Sequence, residues 1–89
     1  MYELQYKKKA IKALAKINNP YYDNIIEAID SLAENPRPFG YKKLTGRDGY
    51  RIRVGTYRII YDVIDTQLIV EIVNIGSRGD IYEDWKKPD

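Results

Sequence analysis

Between residues 49 and 63 (GYRIRVGTYRIIYDV) apolar and polar positions alternate with a period of two. Tyr50, Ile52 and Val54 fall on one side of an extended strand, Arg51 and Arg53 on the other. After Gly55-Thr56 the alternation resumes, with Tyr57, Ile59, Tyr61 and Val63 on one side. A two-residue connection that opens on glycine predicts a type II′ hairpin, whose first central residue needs a positive φ. In that register Val54 stands opposite Tyr57, Arg53 opposite Arg58, Ile52 opposite Ile59 and Tyr50 opposite Tyr61. The apolar residues then share one face and the arginines the other. Like charges directly across a strand pair cost a few tenths to about 1 kcal/mol. Folding alone gives no reason to accept that cost, whereas a bound polyanion does.

The pattern before the hairpin is helical. Met1 to Tyr6 alternates as a short strand, with Tyr2, Leu4 and Tyr6 set against Glu3 and Gln5. Lys7 to Ile17 places Ala10, Ala13, Leu14 and Ile17 on one helix face and a run of lysines on the other, where solvation explains them. Asn18-Asn19-Pro20 ends that helix and opens a second, with Asn19 as N-cap, Pro20 in the first turn and Asp23 suited to the helix dipole. Tyr22, Ile25, Ile26, Ile29, Leu32 and Ala33 make its apolar stripe, and Asn35-Pro36 stops it. Arg37 to Asp48 reads as a Pro- and Gly-punctuated loop anchored by Leu44, leaving Lys42 and Lys43 free. After the hairpin, Asp65-Thr66 predicts a tight turn and Gln67 to Ile75 a central strand covered on both faces. Gly76 to Asp80 breaks that strand, Ile81 to Trp85 reads as a short strand or helical turn, and Lys86 to Asp89 as a frayed tail. The expected fold is α+β: one domain over residues 1–89, an antiparallel β-sheet meander with an N-terminal strand and an α-hairpin packed on one face. A helical crossover permits the first strand to pair in parallel beside the last long one.

Composition narrows the chemistry. The 89 residues suffice for one domain, and a 44% hydrophobic, 31% charged composition is that of an ordinary globular protein. No apolar run reaches the ~20 residues of a membrane span, and MYELQYKKKA lacks the apolar core of a signal peptide, so a cytoplasmic location is expected. Without cysteine there is no disulfide or thiolate metal site. Without histidine, Ser-His-Asp triads, imidazole acid–base pairs and His-ligated zinc are excluded. Net charge is only +2, yet Arg37, Lys42, Lys43, Arg47, Arg51, Arg53 and Arg58 face a single acid, Asp48, within their span. That is a basic patch on an otherwise balanced surface.

Arginines on one sheet face suit phosphate chemistry. Guanidinium groups hold phosphate oxygens bidentately and stay charged over the useful pH range. A phosphorane-like transition state carries extra negative charge, which preorganised cations stabilise more than the ground state. RNA brings its own nucleophile, the 2′-OH. Arg78, in a glycine-flanked turn just past the last long strand, and Tyr82, four residues on, are the remaining candidates. Tyr82 is a weak signal by itself, since the chain has nine tyrosines.

The pattern K-K-L-x-G, then Y-R-I-R-V-G-x-Y-R-I-I-Y-D-V, then I-G-S-R-G-D-I-Y resembles the RelE toxins of the RelE/ParE superfamily, from Tyr2 to about Tyr82. The resemblance implies the compact RNase-like toxin fold and the toxin of a type II toxin–antitoxin pair. It further implies a metal-independent, ribosome-dependent endoribonuclease that cleaves mRNA in the A site and inhibits translation, with no cofactor. Position by position it makes Arg51, Arg53, Arg58, Arg78 and Tyr82 catalytic: Arg58 and Arg78 on transition-state charge, Arg51 and Arg53 on phosphate, Tyr82 in proton transfer or stacking. Lys42, Lys43 and Arg47 are expected to contact RNA nonspecifically. Two departures stand out. Arg51 and Arg53 replace residues that are often lysine, and Ser77 replaces a frequent histidine; both bear on the cleavage rate. The implied partners are a cognate antitoxin, the ribosome and mRNA, and operator DNA through the antitoxin complex, with no membrane. An extended antitoxin segment is expected to dock beside Tyr6, Leu14 and Trp85. Two other readings stand: a ParE-like toxin directed at DNA gyrase, and a catalytically weak relative that mainly binds its antitoxin.

Overall fold

The computed structural model describes residues 1–77, so the expectations for Arg78, for Ile81 to Trp85 and for the tail lie outside the described residues. The elements follow the order β1 (Glu3–Tyr6), α1 (Lys8–Ala15), α2 (Tyr21–Glu34), β2 (Lys42–Lys43), β3 (Tyr50–Val54), β4 (Tyr57–Ile64) and β5 (Ile69–Gly76). The strands form one sheet in the order β1-β5-β4-β3-β2. β2 to β5 run antiparallel, while β1 lies parallel to β5 with Leu4 beside Val70 and Tyr6 beside Ile72. The sheet is therefore mixed rather than a pure antiparallel meander, because two helices carry the chain from the end of β1 back to the other edge.

Both helices cover the same face, α1 over β5 and α2 over β1 and β3. Ala10, Ile25, Ile29 and Leu32 meet Ile52, Ile59, Tyr61, Val70, Ile72 and Ile75 in one buried cluster. Tyr2, Leu4 and Tyr6 border it as the alternation in β1 requires. α1 is shorter than the periodicity predicts: Lys7 is its N-cap, and the Lys16 and Ile17 amides close the last turn on the Ala13 and Leu14 carbonyls. The α2 N-cap is Pro20 rather than Asn19, yet Asn19 still caps, its Oδ1 accepting the Asp23 amide at 3.2 Å. Tyr22 leaves the expected apolar stripe and is exposed, as befits the first turn of a helix that enters the core only at Ile25.

Three local features differ from expectation. Lys42 and Lys43 form a two-residue edge strand rather than loop, paired to Arg51 and Tyr50. The β4–β5 connection is longer than Asp65-Thr66. Its fourth residue, Leu68, adopts a φ of +55°, and its carbonyl accepts the Glu3 amide at 2.7 Å, so β5 begins at Ile69 rather than Gln67. In β5, Ile60 pairs with Asn74 while Tyr61 pairs with Ile72, leaving Val73 as an extra residue in a β-bulge. The bulge turns Val73 away from the helices to meet Ile60 and Leu44 in a second small cluster, while Ile72 and Ile75 both stay in the main core. Leu44 thus anchors its loop as expected. The buried Asn74 side chain is satisfied locally, its Oδ1 accepting the Ile75 amide at 2.9 Å.

A polar clamp closes one end of the sheet. Arg37 donates to both Asp65 oxygens, at 2.8 and 3.3 Å, and to the Tyr50 hydroxyl at 3.1 Å. Tyr2 donates its hydroxyl to Asp65 at 2.7 Å. The Arg37 guanidinium, and after it the Tyr2 hydroxyl, hold the Asp65 carboxyl below its usual range. A carboxyl with a folded-state pKa below its unfolded value stabilises the fold above the unfolded value, about 3.9, and loses that contribution as pH falls through the folded value. Asp65→Asn is therefore expected to flatten the acid side of the stability profile. In urea titrations at neutral pH and near pH 3, wild type should lose more of its midpoint than the variant.

Candidate RNA-cleavage face

The arginine face follows from the hairpin. Gly55 has a φ of +61° and, among the described non-glycine residues, only Leu68 has a positive φ, so the Gly55-Thr56 turn has the signs of type II′. The register is as the alternation predicts: Val54 opposite Tyr57, Arg53 opposite Arg58, Ile52 opposite Ile59 and Tyr50 opposite Tyr61. With Ile52 and Ile59 committed to the core, Arg51, Arg53 and Arg58 stand on the face the helices leave uncovered.

Lys42 pairs with Arg51 and so joins that face as a fourth cation. Arg51 and Lys42 continue one row across the sheet through Ile60 and Asn74, and Arg53 and Arg58 continue the next to Gly76. The rows thus pass from cations at the β2 edge to short or neutral side chains over β5. Arg58 is half-buried, and its Nη1 donates to the Ser77 carbonyl at 3.4 Å where the chain leaves β5. Such a surface offers several positive charges to one anion.

The other expected residues divide. Lys43 pairs with Tyr50 and therefore belongs to the opposite register from Lys42; it lines a separate cleft with Asp48, Asp62 and Asp65. Arg47 sits exposed in the β2–β3 turn, where Gly46 and Gly49 have positive φ. Arg78 and Tyr82 lie outside the described residues, as does Trp85. Tyr6 and Leu14 are half-buried at the core margin. Among the described residues no group of three or more Asp and Glu is placed to hold a metal ion, and no helix is long and apolar enough to cross a membrane.

One part of this face is not visible in the pattern of charges. A cleft of about 590 Å³ opens at the edge of β3 where the short β2 ends, between Lys42, Arg51, Ile52 and Arg53, the Pro38-Phe39-Gly40 turn, and Ala28 and Ser31 of α2. The available signal was the Pro-x-Gly spacing, which favours a turn with glycine at its third position.

The paired arginines make a measurable tension between stability and use. Arg53 is exposed and faces Arg58 directly, so Arg53→Thr exchanges a like-charge pair for a strand-favouring residue. The variant is expected to gain a few tenths to about 1 kcal/mol in urea unfolding while weakening the hold of this face on an anion. A less stable variant would show that Arg53 contributes to the fold itself.

Residues 4–82 match the family described as the ParE toxin of type II toxin–antitoxin system, parDE. The chain is 26% identical over 90 residues to the mRNA interferase toxin RelE of Escherichia coli strain K12, covering 97% of this chain and 95% of that protein. Its fold resembles a chain of the archaeal RelE–RelB complex of Pyrococcus horikoshii OT3 with a TM-score of 0.77 and 33% identity, over 88% of this chain and 96% of that one. It resembles a chain of the intact E. coli RelBE toxin–antitoxin complex equally well, with a TM-score of 0.77 and 27% identity over 88% and 98%. A strand–helix–helix–sheet order, a cation-bearing hairpin and these relatives agree: the chain belongs to the RelE toxins, within the ParE toxin family of type II toxin–antitoxin systems.

Proposed function

We propose that this toxin is a ribosome-dependent endoribonuclease that cleaves mRNA in the A site. The observation that carries the reading is the direct pairing of Arg53 with Arg58, flanked by Arg51 and Lys42 on one open sheet face. The E. coli relative named as an mRNA interferase supports it. In the reaction the 2′-OH attacks the adjacent phosphorus and the bond to the 5′ oxygen of the next nucleotide breaks. The 2′ proton leaves to a base, the 5′ oxygen takes up a proton, and the products are a 2′,3′-cyclic phosphate and a 5′-OH. Arg51 and Arg53 hold the phosphate, and Arg58 with Arg78 stabilises the charge that grows on its oxygens. Tyr82 serves proton transfer or stacking, and Lys42, Lys43 and Arg47 add nonspecific attraction for the RNA backbone. Neither metal nor cofactor enters the scheme. A cognate antitoxin restrains the toxin, as the complexes formed by its relatives support, and in this reading the antitoxin complex engages operator DNA. Action on ribosomes places the protein in the cytoplasm.

Induced expression with mapping of mRNA 5′ ends tests the reading. Wild type should create new ends within codons, and Arg58→Ala and Arg78→Ala should not. Unchanged mRNA ends in wild-type cells already arrested in growth would remove it. The ParE description of the matched family favours one other reading, a toxin directed at DNA gyrase. Inhibition of supercoiling by purified gyrase would identify that action, which a ribonuclease does not have.

A further inference from the structure

The loop from Asn35 to Tyr41 is fastened throughout its base and presents one bare aromatic ring at its tip. The buried Tyr61 hydroxyl donates to the Pro36 carbonyl at 2.7 Å. Asn35 Oδ1 accepts the Arg37 amide at 3.2 Å, and the Arg37 side chain is fixed by Asp65 and Tyr50. At the tip the Tyr41 amide donates to the Pro38 carbonyl at 3.0 Å, and Gly40 has a φ of +91°. Those are the marks of a type II turn with Phe39 at its second position. Phe39, the chain's only phenylalanine, is fully exposed. Single exposed apolar residues are ordinary, but this one is held on a rigid turn at the mouth of the cleft lined by Lys42, Arg51 and Arg53.

We propose that Phe39 is a stacking platform for one unpaired RNA base, whose flanking phosphates lie on Lys42, Arg51 and Arg53. The charged part of the lining, all of it cationic, selects a polyanion, and the bare ring selects a planar, apolar surface. A single-stranded nucleotide carries both within one residue. An apolar peptide would leave these cations desolvated without a counter-charge, and an acidic peptide would leave the ring without a partner. The turn fixes the backbone at Phe39 before binding, so the ordering that stacking requires is confined to the side chain's own torsions. Every base has a π face, so the platform positions the strand without demanding a particular base. The inference rests on the ribonuclease reading and adds to it a positioning residue at some distance in sequence from the arginines.

The test uses purified toxin on ribosomes programmed with a defined mRNA, under single-turnover conditions. Phe39→Ala is expected to raise the toxin concentration giving half-maximal cleavage about 5- to 100-fold, and Phe39→Tyr to restore it. Thermal melting should be unchanged in both, since the side chain makes no core contact. Abasic nucleotides placed in turn around the cut complete the cycle. At one position the abasic mRNA should lower wild type to the level of Phe39→Ala while costing that variant nothing further. Equal penalties for both proteins at every position, or unchanged cleavage by Phe39→Ala, would overturn the platform and leave the ribonuclease standing. Intact mRNA with wild-type toxin would instead overturn the ribonuclease reading beneath it.

Discussion

Arg58→Ala is expected to lower the rate of mRNA cleavage by about 10²- to 10³-fold and to let cells grow through its induction. Arg58 projects from β4 directly across from Arg53, and its guanidinium reaches the Ser77 carbonyl where the chain leaves β5. In the proposed reaction this guanidinium acts on charge that appears at the transition state more than on substrate already bound. The loss should therefore fall mainly on the maximal single-turnover rate, with a smaller change in the half-saturating toxin concentration. Arg58→Lys keeps the charge and loses the planar fork, so it should recover only part of the rate. The fold should tolerate the change, because the side chain is outside the main core and its removal relieves the pairing with Arg53. A folded Arg58→Ala protein that cleaves as fast as wild type would remove Arg58 from the transition state.

The second large effect concerns the fold. Tyr61 is fully buried, its ring centroid lies 5.7 Å from that of Tyr50, and its hydroxyl donates to the buried Pro36 carbonyl at 2.7 Å. Burial pushes the phenol well above the usual tyrosine range, so it remains a donor at every working pH. Tyr61→Phe keeps the ring and strands the carbonyl, which costs about 1–3 kcal/mol. Tyr61→Ala also opens a cavity and should cost about 3–5 kcal/mol, enough to unfold much of a marginally stable small domain. In a thermal melt each kcal/mol corresponds to about 4–8 °C for a domain of this size. The Tyr61→Phe variant should also respond at a distance, because Pro36 supports the turn that carries Phe39. An unchanged midpoint in Tyr61→Phe would mean that water or a shifted backbone replaces the lost donor.

The hairpin was legible because its signals agree: strict alternation on both arms, a glycine where the turn needs positive φ, and a register that unites the arginines. The helix pair was legible for the same reason, its apolar positions recurring at helical spacing. What escaped was nonlocal or aperiodic. β2 is two lysines long and extended only because β3 offers it a partner. The bulge at Val73 lies inside a nearly continuous apolar run, where no change of period marks it. Leu68 gives no hint of a positive φ; the amide of Glu3, far away in sequence, supports it. For the candidate site, Arg51, Arg53 and Arg58 could be collected by counting charges and faces, whereas Lys42 joins them only through the β2 pairing. The cleft beside them could not, because one of its walls is a turn fastened through Pro36 and Arg37 to Tyr61 and Asp65, far along the chain.

If the cation face of the β3–β4 hairpin promotes attack by the 2′-OH of ribosome-bound mRNA, the cut ends carry its signature. The most direct measurement is the chemistry of the cut ends produced by purified toxin on programmed ribosomes. Wild type should give fragments ending in 2′,3′-cyclic phosphate and 5′-OH, none when the 2′-OH at the cut site is replaced by hydrogen, and Arg53→Ala/Arg58→Ala should give few. Fragments bearing a 5′-phosphate, or full cleavage of the 2′-deoxy mRNA, would contradict it.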